Sequence, residues 1–473
     1  MLRSEHCFSH LHRINSGNLK NQSERSMMDI EIKKGYRFRM AGAPSKELRQ
    51  LADPPQLAFL PDKVPYVKPR LKVAEGDRVK IGSLLFEDKR TPTIQFLSPA
   101  GGVVSKIQFG PRRVVEKIII DRDLDKEDYV PFTAISERDL DTMKRQSLVD
   151  LILNGGLWWV FRQLPFRDLP DPASAPPAII VGFSAKEPFQ PAPDVYTADR
   201  NELISYGLKI LHKLSNGPVM VFTDGDDGAT ACEGLVTHTV YGNYPADDPG
   251  ALLYRVKKDG AHNRAWIIAG QDLLLLAQLL VHGHYPVDRV VTVGGSKAPV
   301  TGHFRTRLGA PLGHLVETTA LDDDVRFVVG GLLRGYGSDA DGFMGHLETS
   351  LNIVPRGDQA EFLALFKPGI GKPTYSRTFL SKLNPGRLEY TCNTHGGLRA
   401  CIACLHCVDI CPVDILPHMA YKAIWADEIE ESLEHGLLDC VECGLCSYVC
   451  PSKIELSRTF IEAKAAYAKE QAG

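Results

Sequence analysis

Cys401-Ile-Ala-Cys404-Leu-His-Cys407-Val-Asp-Ile-Cys411-Pro412 recurs, with 28 residues between Cys411 and Cys440, as Cys440-Val-Glu-Cys443-Gly-Leu-Cys446-Ser-Tyr-Val-Cys450-Pro451. Each run sets three cysteines at intervals of three, then a fourth four positions on, directly before a proline. This is the spacing that holds cubane iron–sulfur clusters. Three thiolates so placed wrap a tight loop around one cubane, with backbone N–H groups directed at its sulfides. The fourth lies too far along to close the same cube and ligates the other. The expected sets are therefore Cys401, Cys404, Cys407 and Cys450 for cluster 1, and Cys440, Cys443, Cys446 and Cys411 for cluster 2. Such cross-ligation would hold two 4Fe-4S clusters near enough for electrons to hop between them. Zinc needs only four ligands, usually on two Cys-x-x-Cys knuckles, and fits eight cysteines with trailing prolines badly.

The stretch between the runs reads as a helix or two, with Leu416, Met419, Ala423 and Ile424 on one face. A last helix carries Leu456, Phe460, Ala463 and Tyr467 on one stripe. From Cys401 to Cys450 there are nine acidic residues against Lys422 alone. That is a solvated acidic face or, more sharply, a surface that steers a basic redox partner. His395, His406 and His418 are expected beside the clusters or on the surface rather than among the ligands.

Eight of the 11 cysteines lie in these fifty residues, while Cys7, Cys232 and Cys392 are scattered. A disulfide framework would spread its staples, and the first 26 residues hold no apolar signal segment. Residues 1–27 read as disordered or as a mis-called start. A net charge of -3 gives no reason to expect nucleic acid. The longest apolar run, Ile267 to Val281, is broken by Gln271, Asp272 and Gln278 and falls short of the roughly 20 residues a membrane helix needs. Any ion that crosses a membrane must cross through a partner, and a reducing cytoplasm is the expected setting.

Upstream, the pattern predicts an α+β, multidomain chain. Over 28–130, Pro69 to Gly82 alternates apolar and polar residues and turns at Glu75-Gly76-Asp77 and Gly82. With Ser98-Pro-Ala-Gly-Gly-Val-Val104 this resembles the barrel-sandwich hybrid of lipoyl and biotinyl carriers. Lys89 is read as a solvated turn lysine, not a carrier lysine. Buried strands at Ala178–Phe183 and Pro218–Asp224, with helix between, predict an α/β core domain over 131–260. A small β-grasp-like (SLBB) domain is expected over 261–365, and a helical 4Fe-4S dicluster ferredoxin domain over 366–473. Val291 to Lys297 is too short for a phosphate-binding loop. Thr223-Asp-Gly-Asp-Asp-Gly228 lacks the distal glutamate of a calcium loop. Both read as ordinary turns, no nucleophile–base pair stands out, and no catalytic residue is assigned.

Ile32-Lys-Lys-Gly35, Ala41-Gly-Ala-Pro44, Lys72 to Gly82, Phe86-Glu-Asp-Lys89, Ser98-Pro-Ala-Gly101, Gly156-Leu-Trp158 and Asp288-Arg-Val-Val291 resemble the NqrA component of the sodium-translocating NADH:quinone oxidoreductases (Nqr). The resemblance spans nearly the whole chain after Met28. It implies a peripheral subunit on the cytoplasmic face of the bacterial inner membrane, with integral membrane and flavoprotein subunits as partners. The complex so implied oxidises NADH, reduces ubiquinone and exports sodium, and ubiquinone is expected nearby. The familiar NqrA chains lack most cluster cysteines, whereas all eight stand here, as in the RnfC component of the related Rnf complexes. Those relatives carry a Gly-rich flavin loop. Here the corresponding stretch is Gly155-Gly-Leu-Trp-Trp-Val-Phe161, where two indoles replace the glycines that admit a phosphate. No FMN and no NADH are therefore expected on this chain. The expected role is electron transfer and docking. The alternatives are an RnfC-type chain that binds flavin and NADH or ferredoxin, and a structural subunit with clusters off the electron path.

Overall fold

The computed structural model describes residues 28–225, 232, 234–316, 321, 324–358, 366, 368–375 and 379–472. The expectations for residues 1–27, Cys7 included, and for Asp226 to Gly228 lie outside the described residues.

Strands Ile179–Phe183 and Val219–Asp224 are apolar at nearly every position because both faces of their sheet are covered. Strand side chains alternate between faces, so the two faces build separate cores. Ile179, Val181 and Val221 enter the larger core, with helices Arg145–Asn154, Asn201–Leu214 and Gly270–His282. Ala178, Ile180, Met220 and Phe222 enter the second, against helix Pro249–Val256 and the cysteine segment. The cysteine segment thus takes the place of a helical layer on one face of the sheet.

The sheet runs Met28–Ile32, His238–Gly242, Val219–Asp224, Ile179–Phe183, Trp266–Ala269, Arg162–Gln163, parallel except for the last pair. Its first strand lies inside the stretch expected for the barrel-sandwich domain, and Trp266–Ala269 lies beyond residue 260, so strand pairing reaches across both limits expected for this domain. The barrel-sandwich part pairs Gln56–Phe59, Val115–Arg122, Gly102–Phe109 and Arg78–Val79 in one sheet, and Pro69–Leu71, Leu84–Asp88 and Gln95–Leu97 in the other. Lys89 is exposed just past the Leu84–Asp88 strand. A third sheet runs Tyr336–Ser338, Val325–Val329, Ser350–Pro355, Asp288–Gly294, Gly302–Arg307 and Leu48–Gln50. Among the described residues no helix is long and apolar enough to cross a membrane.

At the junction of these bodies His346 is buried, stacked 3.8 Å from Phe59 and edge-on to Trp159 at 5.8 Å. Neither ring nitrogen has a hydrogen-bond partner, and burial pushes its pKa down to about 3. The native ring therefore stays neutral while the unfolded chain takes up a proton below about 6.5, so stability falls as pH drops from there towards 3. Burial acts oppositely on the neighbouring Glu348, pushed up to about 7, so its contribution is lost as pH rises from about 4.5 towards 7. His346→Leu should therefore flatten the acid side of the melting temperature–pH curve between pH 6.5 and 4. An acid limb as steep as in the parent would refute this assignment.

Candidate iron–sulfur site

The two cysteine runs share one backbone path. Ala403, Leu405 and Asp414 take positive φ (52°, 64° and 54°), and so do Glu442, Gly444 and Lys453 at the same offsets in the second run (57°, 77° and 59°). Left-handed turns at fixed places curl the chain so that thiols three residues apart face inward. A short helical turn, His406–Asp409 or Leu445–Tyr448, then carries the chain to the fourth cysteine. Glycine at 444 has a second cause: a Cβ there would stand 2.9 Å from the Leu333 carbonyl oxygen, on which the second run packs. Leu405, the counterpart, faces solvent and needs no such clearance.

The thiols gather as two sets. Cys401, Cys404, Cys407 and Cys450 line one cavity, with Ile402, Leu405, His406, His418 and Ile454. Cys411, Cys440, Cys443 and Cys446 line the other, walled by Val413, Ile415, Leu445 and Phe460. The fourth cysteine of each run therefore stands in the cavity of the other. Backbone N–H groups of Val413 and Ile415 are directed at Cys411, that of Leu445 at Cys443 and that of His418 at Cys407. Glu442 N–H donates to Cys440 Sγ at 3.4 Å.

Burial pushes the Cys407 and Cys440 thiols up to about 11 and those of Cys411, Cys443 and Cys446 upward too, with neighbouring thiolates adding to most of these shifts. Thiolates crowded this way need compensating positive charge, which an iron–sulfur core supplies, and loading it must release protons. Among the described residues no three His, Cys, Asp or Glu side chains meet as ligands of a single ion would. Thiolates bound to different corners of a cubane stand further apart than four on one ion, and two four-thiol cavities fit that group.

The two cavities differ in setting. Residues 402–405 are exposed, whereas Val441, Cys443, Gly444 and Leu445 are buried against the α/β domain. Tyr244 Oη donates to the Cys443 carbonyl at 2.7 Å, and Arg167 Nη2 to the Val441 carbonyl at 3.1 Å. Arg167 and Arg334 both reach the fully buried Asp248, each at 2.8 Å. Burial alone would raise the Asp248 pKa, but the two guanidiniums hold it below the usual carboxylate range. Lys464, 1% exposed, bonds the Cys440 carbonyl at 3.1 Å and pairs with Glu442. Arg255 and Lys34 close on Asp414 at 3.1 and 2.9 Å, and Lys257 on Asp439 at 2.6 Å.

None of these partners was marked by a motif. The stripe expected on the last helix, Leu456–Ala472, includes Leu456 and Phe460, both buried, but the helix also buries Lys464. On helix Pro417–Trp425 the buried residues are Pro417, Ala420 and Ala423, and Leu416 lies outside at 40% exposure, because the Cys411 cavity needs the proline side inward. His406 and His418 line the first cavity beside the cysteines. His395 borders a wide groove of about 1960 Å³ that runs past Tyr375, Tyr390 and Tyr448 to Cys450. Trp158 and Trp159 are packed in the larger core, where Trp158 Nε1 donates to the Pro170 carbonyl at 2.8 Å.

A barrel-sandwich hybrid, an α/β domain and a dicluster segment in one chain define a multidomain protein of iron–sulfur redox type. The matching family models are the NqrA N-terminal barrel-sandwich hybrid domain at residues 30–123, the NqrA second alpha/beta domain at 143–285 and a 4Fe-4S dicluster domain at 400–454. Named relatives include the NqrA chain of the Na(+)-translocating NADH-quinone reductase of Hahella chejuensis, 31% identical over 90% of this chain and 96% of that one. That of Rhodopirellula baltica is 31% identical over 90% and 94%. The chain belongs to the NqrA family of Na(+)-translocating NADH-quinone reductase subunits, as its sequence resemblance implies. A solved NAD+-reducing [NiFe]-hydrogenase matches at 11% identity over 72% of this chain and 68% of that one, with a TM-score of 0.35, too remote to argue from.

Proposed function

We propose that the chain is a peripheral electron-transfer and docking subunit of a membrane NADH:quinone oxidoreductase that couples NADH oxidation and ubiquinone reduction to sodium export. One observation carries the redox part: two cavities, each lined by four thiols and each completed by the last cysteine of the other run. On this reading Cys401, Cys404, Cys407 and Cys450 hold one 4Fe-4S cluster, and Cys440, Cys443, Cys446 and Cys411 the second. Bound there, the clusters would take up and release single electrons. The chain's own part is to hold the thiolates, direct N–H groups at them and keep water from the second set with Val413, Ile415, Leu445 and Phe460. Arg167, Arg255 and Lys464 fasten that scaffold to the α/β domain and to the last helix. The packing of both indoles of 155–161 into the core supports the reading that FMN and NADH bind on other subunits. Integral membrane and flavoprotein subunits are the proposed partners, with ubiquinone nearby, at the cytoplasmic face of the membrane. The division into domains at about residues 130, 260 and 365 stays part of the proposal, with strands exchanged across the first two limits.

Anaerobically purified chain should carry about eight irons and as many acid-labile sulfides, with no flavin bands in its visible spectrum. Stoichiometric flavin would instead favour an RnfC-type chain that binds its own donor. No iron, with zinc or nothing in its place, would remove the redox role.

A further inference from the structure

We propose that the surface around the Cys401 run is the port through which electrons enter or leave, and that it receives a redox protein with a basic rim around an apolar contact. The inference rests on the cluster reading above and adds the route and the partner's chemistry.

The second cavity is shut in by the α/β domain, with Val441, Cys443 and Leu445 buried. The first is lined by its own loop and by His418, Pro451, Ile454 and Leu456, and residues 402–405 of that loop are exposed. Electron transfer weakens steeply with distance, so an external partner exchanges fastest with the cluster nearest the surface. The surface over that loop is apolar where a solvated turn would be polar. Ile402 is 67% exposed, and Leu398 and Leu405 are exposed beside it in sequence. Helix Pro417–Trp425 supplies a second apolar point. His418 on its first turn lines the cavity, and Tyr421 packs in the same apolar cluster as Cys401, Cys407 and Cys450. Trp425, one turn further on, is 71% exposed with its ring 6.0 Å from that of Tyr421. Large apolar side chains left bare together mark contact surfaces.

Charge selects the occupant. Asp427, Glu428, Glu430, Glu431 and Glu434 follow Trp425, all exposed, and Lys422 is the sole base of the segment between the first and last cysteine. Four thiolates on an iron–sulfur core add negative charge behind them. A partner with lysines or arginines around its own cofactor edge would be drawn to this face and oriented on it, whereas an acidic one would be repelled.

The test uses the full chain, loaded anaerobically, its iron counted, its clusters reduced and excess reductant removed. The probe is oxidised cytochrome c, a basic haem protein, mixed in a stopped-flow instrument. The second-order rate should fall steeply as salt rises. Glu430→Lys, Glu431→Lys and Glu434→Lys together should lower the low-salt rate roughly tenfold, the scale of electrostatic steering, and flatten the salt dependence. Ile402→Ser with Trp425→Ser should lower the rate and leave its salt dependence in place. The same number of charge reversals at Asp141, Asp150 and Glu202, exposed on the helical side of the α/β sheet, should leave the rate within a factor of two or so. Salt-independent transfer, or an equal loss in both triple variants, overturns the port alone. A chain without iron overturns the cluster reading and the port together.

Discussion

In a Cys411→Ala chain purified without oxygen, Cys440, Cys443 and Cys446 should become open to alkylation, while Cys401, Cys404, Cys407 and Cys450 stay protected. Iron should fall from about eight to about four per chain, with the damaged cavity empty. The result is contrary to intuition, because Cys411 belongs by sequence to the first run and its loss should empty the second. Cys411 shares a cavity with Cys440, Cys443 and Cys446, and its charge acts on all three of their thiols. The thiol of Cys407 instead feels Cys404 and Cys401. Cys450→Ala is the mirror case and should expose Cys401, Cys404 and Cys407. The effect should be large for Cys411→Ala, because burial raises the pKa of Cys411, Cys440, Cys443 and Cys446, and that set is stable as thiolate only around a metal core. Once the core is lost, the burial that raises these pKa values returns the cysteines to neutral thiols. Mapping the alkylated cysteines by mass spectrometry decides the matter. Modification of Cys401, Cys404 and Cys407 in the Cys411→Ala chain would sink cross-ligation and with it the pairing of the two runs.

How much of this was legible in sequence follows from the range of each interaction. The gathering of the eight thiols into two cavities was legible because cysteines three positions apart on a tight loop face one space, and because the run occurs twice. The barrel-sandwich and α/β parts were legible for a similar reason: their strands announce themselves by alternation or by continuous apolar stretches bounded by turns. The strand Met28–Ile32 was not, because its partner His238–Gly242 lies some two hundred residues away and a parallel pairing leaves no local mark. Lys464 is the sharpest case. A lysine one place from an apolar stripe reads as solvated, and only the packed structure shows its ammonium on the Cys440 carbonyl and Glu442. Asp248, Arg167 and Arg334 escaped for the same cause. Each reads as a surface residue, yet they meet in the interior because three parts of the chain converge there. Even the exposure difference between the two cysteine runs comes from outside them. Leu333 and Tyr244 pack on the loop of the second run, whereas residues 402–405 of the first are exposed.

Asp248→Asn should loosen the cysteine segment from the α/β domain by two to four orders of magnitude in the opening equilibrium. That corresponds to roughly 3–5 kcal/mol, the scale for removing one charge from a buried ion pair. Asparagine is chosen because Asp248 has two jobs. Its carboxylate accepts from Gly250 N–H at 2.7 Å as the N-cap of helix Pro249–Val256, and asparagine caps nearly as well. What it cannot do is balance the Arg167 and Arg334 guanidiniums, of which Arg167 also holds the Val441 carbonyl. Two buried cations left with Asp247, Glu187 and Glu442 must then hydrate, and hydration means parting the domains. Hydrogen exchange at Val441 to Leu445 should accelerate accordingly, while amides of helix Asn201–Leu214, on the other face of the sheet, should not change. The pH dependence carries a definite sign. The native pKa of Asp248 is depressed, so its contribution is complete above the unfolded value near 4 and is lost as pH falls through the lower native one. The parent should therefore hold the segment docked through neutral and mildly acid pH, and the difference between parent and Asp248→Asn should shrink only in strong acid. Replacing the whole group by apolar residues, as Arg167→Met, Arg334→Met and Asp248→Leu, should recover part of the loss, because removing buried charges together costs less than stranding them. Unchanged exchange at Val441 to Leu445 in Asp248→Asn would mean that the apolar contacts of Val413, Ile415, Val441 and Leu445 with the sheet dock the segment unaided, and the ionic group would then serve orientation alone.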